Sequence, residues 1–326
     1  MRIATMCSRA GFRGCAGVAA VVMLACVSLQ AQTKPASTGS AAQKTFDTPQ
    51  AAADALIQAA QNYDVDALNA ILGPQGHDII DTGEPAKDKS EAQAFAQEAM
   101  TKHSVAVDPK KATIATLVVG ETDWPLPVPI VQKGGKWLFD SKAGRTEILN
   151  RKIGENELTM IELLQGYVEA QREYSLEQHD GSGVNQYAQQ IISSPGKRDG
   201  LAWQNADGTW DGPVGEAVAK AIGEGYSLKS DPYHGYRFKT LRGQGPAAPL
   251  GAMNYLVKGY MIGGYALVAV PAEFMVTGVK TFMVSNNGIV YEKILGPDGA
   301  SIVEKMDTYN PDTTWTVVET ETPDGQ

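Results

Sequence analysis

Residues 155–203 read ENELTMIELLQGYVEAQREYSLEQHDGSGVNQYAQQIISSPGKRDGLAW, and the fold turns on how this stretch divides. Leu158, Ile161, Leu164 and Val168 recur at helical spacing, and Met160, Leu163, Tyr167 and Tyr174 widen the stripe. Burying such a stripe is worth on the order of 10 kcal/mol before chain entropy is charged, so a partner layer is required. Asn156 stands at the expected cap, with Glu155 and Glu157 beside the positive helix end. Gly181 and Gly183 break the pattern, which reads as a glycine loop joining this helix to a second. A compact polar run, Ser194-Pro195-Gly196-Lys197-Arg198-Asp199-Gly200, follows and is closed by Trp203.

The partner layer is written downstream. Residues 236–241 (YRFKTL) alternate, 265–270 form an apolar run, and 281–285 and 289–293 flank the turn Asn286-Asn287-Gly288. Residues 315–318 add a last strand. A helix followed by antiparallel strands is the α+β pattern, with the long helix packed on the sheet.

Upstream, Thr48 and Pro49 give a cap and a first helical position, and Ala53, Leu56, Ile57 and Ala60 continue the helix. A second helix carries Leu68, Ile71 and Leu72 and stops at Gly73-Pro74. A third is expected over 90–102. Strands are expected over 112–119 and 128–132, and Lys133-Gly134-Gly135-Lys136 is a hairpin turn into Trp137. Pro125, Pro127 and Pro129 confine their stretch to an edge or a bend. The divisions expected are 46–152 and 153–326, after a flexible linker over 32–45.

Residues 1–31 read as a secretory signal: Arg2, Arg9 and Arg13 precede an apolar run too short to span a membrane. Cleavage after Ala31 competes with a lipobox-like Met23-Leu24-Ala25-Cys26, which would end the signal at 25 and lipidate Cys26. Either outcome places the protein outside the cytoplasm: periplasmic, tethered to the outer membrane, or secreted. No later stretch approaches membrane length. The chain carries a net charge of −9, and without those three arginines 25 basic residues face 37 acidic ones, a net −12. That surface repels nucleic acid and disfavours docking on anionic lipid through a basic face. Cys7, Cys15 and Cys26 are the three cysteines, so the remainder offers neither disulfide nor thiolate.

Chemical motifs are sparse. Aligning Gly183 with the glycine of a calcium loop leaves Asp180 as the one carboxylate and Gln189 where a bidentate acid belongs. The same loop lacks the glycines of a nucleophile elbow, and Pro246 and Pro249 spoil residues 243–248 as a dinucleotide loop. No metal or cofactor is expected. Three clusters carry the functional candidates. Lys197 and Arg198, with Asp199 and Trp203, offer cations to an acidic ligand or partner loop; the alternative is a tight turn in which Asp199 bonds its own backbone. His77, Asp78, Asp81 and His103 are the acid–base candidates of a hydrolase-like pocket. Trp203, Trp210, Tyr226, Tyr233 and Tyr236 would stack on envelope glycans or serve as packing.

Residues 151–158 (RKIGENEL), Glu169-Ala170-Gln171 with Tyr174, 194–201 (SPGKRDGL) with Trp203, 235–238, 264–271 and Thr281-Phe282 resemble the bacterial domain-of-unknown-function family numbered 2950. That resemblance implies an exported protein without an assigned activity. The element order of 46–152 resembles NTF2-like domains, and the helix with Ala170-Gln171 and Tyr174 ahead of a sheet resembles the globular half of pilin-like proteins. The expectation is a non-catalytic binding or assembly component whose partner is an envelope protein or glycan, with a pocket enzyme as the rival.

Overall fold

Thr48 opens the first helix by accepting a hydrogen bond from the Ala51 backbone at 3.1 Å, and Pro49 fills a position whose N–H has no helical acceptor. The protein is seen here as a computed structural model that describes residues 42–215 and 232–319. The signal segment, Cys26, linker residues 32–41 and Tyr226 lie outside the described residues. Two compact units divide between Leu149 and Asn150.

In the first unit, α1 (Pro49–Asn62) is followed by α2 (Val65–Leu72), capped by Asp64 and stopped at Gly73. The single turn α3 (His77–Ile80) precedes α4 (Pro85–Thr101), which begins a turn earlier than the alanine pattern suggests because Pro85 starts it. Ala52, Ala53, Ala59 and Ala60 of α1 and Ala92, Ala96 and Ala99 of α4 are buried, and α1 packs along α4. Small side chains let the two helices approach closely.

The sheet beside them comprises β1 (His103–Val107), β2 (Ile114–Val119), β3 (Trp124–Pro125), β4 (Ile130–Lys133) and β5 (Lys136–Phe139). Its order is β1-β2-β4-β5, all antiparallel, with β3 paired to the far end of β2. The proline stretch thus supplies a two-residue edge and a bend, as its missing donors require. Gly134 and Gly135 take φ of 58° and 77°, which fits a two-residue hairpin turn between Lys133 and Lys136. Gln43 and Lys44, at the end of the stretch read as linker, are already tied in. The Gln43 amide donates to Ile71 and Phe139 carbonyls, and Lys44 N–H to Ala70.

Helix α5 (Ser141–Tyr174) corrects the sequence reading at its start. Asp140 accepts the Ala143 N–H at 3.1 Å and so caps the helix sixteen residues before the expected cap, Asn156. Asn156 is no cap. It is buried in mid-helix, and its amide donates to the Thr277 carbonyl at 2.8 Å. The neighbouring Glu157 accepts the Val279 and Lys280 N–H groups at 2.9 and 3.0 Å. The buried stripe is also rotated from the expected one. It runs Ile153, Asn156, Met160, Leu164, Tyr167, Gln171, Tyr174, and leaves Leu158 64% exposed. Two polar residues lie on that stripe, which is why counting apolar residues alone misplaced it.

The second unit continues with β6 (Gln190–Ile192), β7 (Gly200–Gln204) and β8 (Trp210–Asp211) in one small sheet, β6 parallel to β7. The chain after the glycine loop reaches β6 without a second helix, contrary to expectation. Then come β9 (Tyr236–Leu241), β10 (Gly243–Gln244), β11 (Met253–Asn254), β12 (Leu256–Val257), β13 (Tyr260–Met261), β14 (Ala266–Pro271), β15 (Thr281–Ser285), β16 (Tyr291–Lys293), α6 (Gly299–Glu304), β17 (Thr308–Tyr309) and β18 (Thr316–Val317). The main sheet runs β18-β16-β15-β14-β9, antiparallel throughout, with β14 and β15 buried along their length. Met160, Leu164, Tyr167 and Val168 of α5 share one core with Leu267, Val268, Phe282 and Val284 of this sheet. Tyr265 meets Tyr167 edge-on at 5.8 Å and donates its hydroxyl to the Val168 carbonyl. The fold is α+β, with the long helix and the antiparallel sheet sharing a core.

Candidate functional site

The C-terminal end of α5 and the 193–200 loop converge. Tyr174, the last residue of the helix, is buried, and its hydroxyl donates to the Arg198 carbonyl at 2.5 Å. Burial pushes this phenol up to about 12, helped by the negative charges of Asp180 and Asp199. His179 stacks on the Tyr174 ring at 3.9 Å, its Nε2 donating to the Tyr174 carbonyl at 2.9 Å. The His179 ring is 5.4 Å from that of Trp203, and the Arg198 guanidinium lies over Trp203 at 5.0 Å. Such a cation–π contact is worth about 0.5–1 kcal/mol at an exposed site.

The loop backbone is pinned from several directions. Asp199 accepts the Ser194 N–H at 2.7 Å and the Gln190 amide at 3.3 Å, while its carbonyl accepts Gln189 N–H. Ser194 also accepts the Lys197 N–H at 2.9 Å, closing the turn. Ser193 Oγ accepts the Gly200 N–H at 2.9 Å. A Cβ at position 200 would lie 2.6 Å from the Ser193 nitrogen, so β7 can start here only on a glycine. Asp199 thus holds the turn through the Ser194 N–H, and the cations remain outside. Pro195, Gly196, Lys197 and Arg198 are exposed. Among the described residues neither Lys197 nor Arg198 forms an ion pair.

Trp203 is 7% exposed, and its indole Nε1–H is buried without an acceptor. Leaving a buried donor unmet costs about 1–3 kcal/mol, so the ring is held in place by packing against its neighbours. Two exposed donors mark this face, the Arg198 guanidinium and the Lys197 ammonium, while the indole N–H lies beneath it. Asp180 contributes little to it, because its carboxylate is bound to Ser182 and Gln186, and the Ser182 bonds hold its pKa below the ordinary range. The arrangement can hold and orient an anion. Sequence reasoning did not place Tyr174 or His179 here, since nothing local links them to Trp203.

The acid–base candidates of the first unit are distributed over two places. His77 Nδ1 is 3.3 Å from Asn69 Oδ1 and its Nε2 4.0 Å from Asp81, whereas Asp78 pairs with Arg145 at 3.4 Å. His103 donates from Nδ1 to the Ala99 carbonyl at 2.7 Å and sets Nε2 3.6 Å from Asp54 of α1. The two histidines share no partner. Of the central aromatics, Tyr236 is fully buried with its hydroxyl on the Lys280 carbonyl, and Trp203 is a core side chain. Trp210 and Tyr233 are half-buried. Among the described residues no group of three His, Cys, Asp or Glu side chains is placed to hold a metal ion, and no helix is long and apolar enough to cross a membrane.

No curated protein and no solved structure matches the chain. A family model described as a protein of unknown function (DUF2950) matches residues 43–318, taking in the loop and nearly all of the described residues, and the chain belongs to that family.

Proposed function

We propose that this protein is an exported component of the cell envelope that binds a partner and performs no chemistry of its own, with the 194–200 loop as its binding element. The observation that carries the reading is a backbone pinned at Ser194, Lys197, Arg198, Asp199 and Gly200 beneath two exposed cations that lack ion pairs. Loops fixed by a scaffold are where recognition residues concentrate, because order in the free state lowers the entropy lost on binding. The arginine-led apolar segment at the N-terminus supports export, and Cys26 would serve as a lipid-anchoring point where the lipobox-like cut is used in place of cleavage after Ala31. The acid–base candidates of the first unit lie in two separate places, His77 beside Asp81 and His103 beside Asp54, and so lend the rival pocket enzyme no single cluster.

The test is a comparative pull-down from envelope extract with the wild-type chain and the Lys197→Ala/Arg198→Ala variant. The reading expects a protein retained by the wild type and lost from the variant, with an unchanged melting temperature. Identical retention by both chains would sink it.

A further inference from the structure

The chemistry around the loop goes further than "a partner". We propose that the loop takes a carboxylate of an acidic, extended peptide laid along the edge of β6. This inference rests on the binding reading above and names its ligand class.

Three observations converge. The first is charge: on a chain of net charge −9, Lys197 and Arg198 are adjacent, exposed and free of ion pairs among the described residues. The acids near them are engaged. Asp199 is held by Ser194 and Gln190, and Asp180 by Ser182 and Gln186. His179 is engaged as well, its Nε2 donating to the Tyr174 carbonyl.

The second is geometry. Arg198 rests over Trp203, so its guanidinium is restrained while its N–H groups stay available for a planar two-oxygen acceptor. The third is the sheet. β6 ends the three-stranded order β6-β7-β8 and pairs only with β7 among the described residues. A strand end directly preceding the cationic loop is an edge on which an extended chain can add, its backbone supplying affinity and its side chains the choice of partner. Peptide carboxylates satisfy both requirements together. Free phosphate satisfies one.

The experiment measures fluorescence anisotropy of a labelled peptide of alternating glutamate and valine, titrated with the purified full chain. A matching lysine–valine peptide is the control, and free glutamate and inorganic phosphate are the competitors. The acidic peptide should bind and the basic one should not. Lys197→Ala/Arg198→Ala should weaken binding at least about tenfold, as expected for loss of charge-assisted hydrogen bonds. Its melting temperature should stay within about 1 °C of wild type, since exposed substitutions away from packing are near neutral. Arg198→Lys, which keeps the charge and loses the fork, should fall between the two.

Equal affinity for both peptides, full affinity in the double variant, or displacement by phosphate at the concentration of competing acidic peptide would each overturn the proposal. Should the double variant fail to fold, Lys197→Gln alone decides: a roughly threefold loss supports the proposal and no change overturns it. The two levels of reading separate cleanly. If the acidic peptide fails to bind while the envelope partner still depends on Lys197 and Arg198, the ligand class falls and the binding reading stands. If neither binds, both fall.

Discussion

The two units solve the problem of an interior with different residues. The first is filled by alanines and aliphatic side chains, Leu56, Leu68, Ile71, Leu117 and Ile130 among them, and Tyr63 is the one tyrosine in its 149 residues. The second buries Tyr167, Tyr174, Tyr236, Tyr255, Tyr265 and Tyr309, together with Asn156, Gln171, Gln244, Thr281 and Ser285. Several of these polar groups reach backbone far away in sequence: Tyr236 to Lys280, Tyr265 to Val168, Asn156 to Thr277. An alkyl core stabilises whatever arrangement packs densely. A core with hydroxyls and amides stabilises only the arrangement that satisfies them, and each lost partner is expensive.

Alkaline pH should break this comparison most visibly. Burial pushes Tyr174 and Tyr265 up to about 12, and Tyr167, Tyr236, Tyr255 and Tyr309 upward as well. A phenol with a raised folded pKa keeps its proton where the unfolded chain releases it. Its contribution to stability is therefore whole below the unfolded value near 10, declines between about 10 and 12, and is gone above the folded value. Urea unfolding followed by tyrosine near-ultraviolet circular dichroism should show a steady midpoint up to about pH 10 and a steep fall beyond it. With Trp203, Trp210 and Trp315 of the second unit replaced by phenylalanine, Trp124 and Trp137 report on the first unit, whose transition should move far less. A parallel decline of both signals would show that the buried tyrosines do not set the difference.

The next test removes one amide. Gln171 donates to the Tyr167 hydroxyl and to the Ala188 carbonyl at 2.9 Å, and accepts the Ala188 N–H at 2.9 Å. Gln171→Leu keeps the volume and adds apolar surface, yet strands both backbone groups of Ala188. The second unit should lose about 2–4 kcal/mol, read from the shift of its urea midpoint. A stabilised variant would mean that this interior behaves like the aliphatic one.

The same contrast explains what was legible in the sequence. Thr48, Asp64, Gly73 and the Gly134-Gly135 turn work on partners within four residues, so composition and spacing announce them. Asn156 and Glu157 carry the same letters as a helix start, but their partners are the backbones of 277, 279 and 280. Their local signal is indistinguishable from a cap, while the true one, Asp140, precedes a turn with little apolar character. The 194–200 loop was readable because glycine and proline chemistry marks it. Its aromatic surround was not, because Tyr174, His179 and Trp203 are brought together by the end of one helix and a strand beginning 26 residues later.

Leu158 gives the finest test of where the interior of the second unit lies. The apolar count puts it on the buried stripe with Leu164 and Val168, whereas the fold puts it two residues from Met160 and so on the opposite side of α5, 64% exposed. Leu158→Gln should therefore change stability by less than about 0.5 kcal/mol, as surface substitutions do. Leu164→Ala, at a fully buried position of the same helix, should cost about 2–5 kcal/mol. Thermal and urea melts of the two variants separate the alternatives, because a stripe through Leu158 predicts losses of similar size. The polar residues Asn156 and Gln171 then count as members of the buried face, and the helix is amphipathic only when they are included.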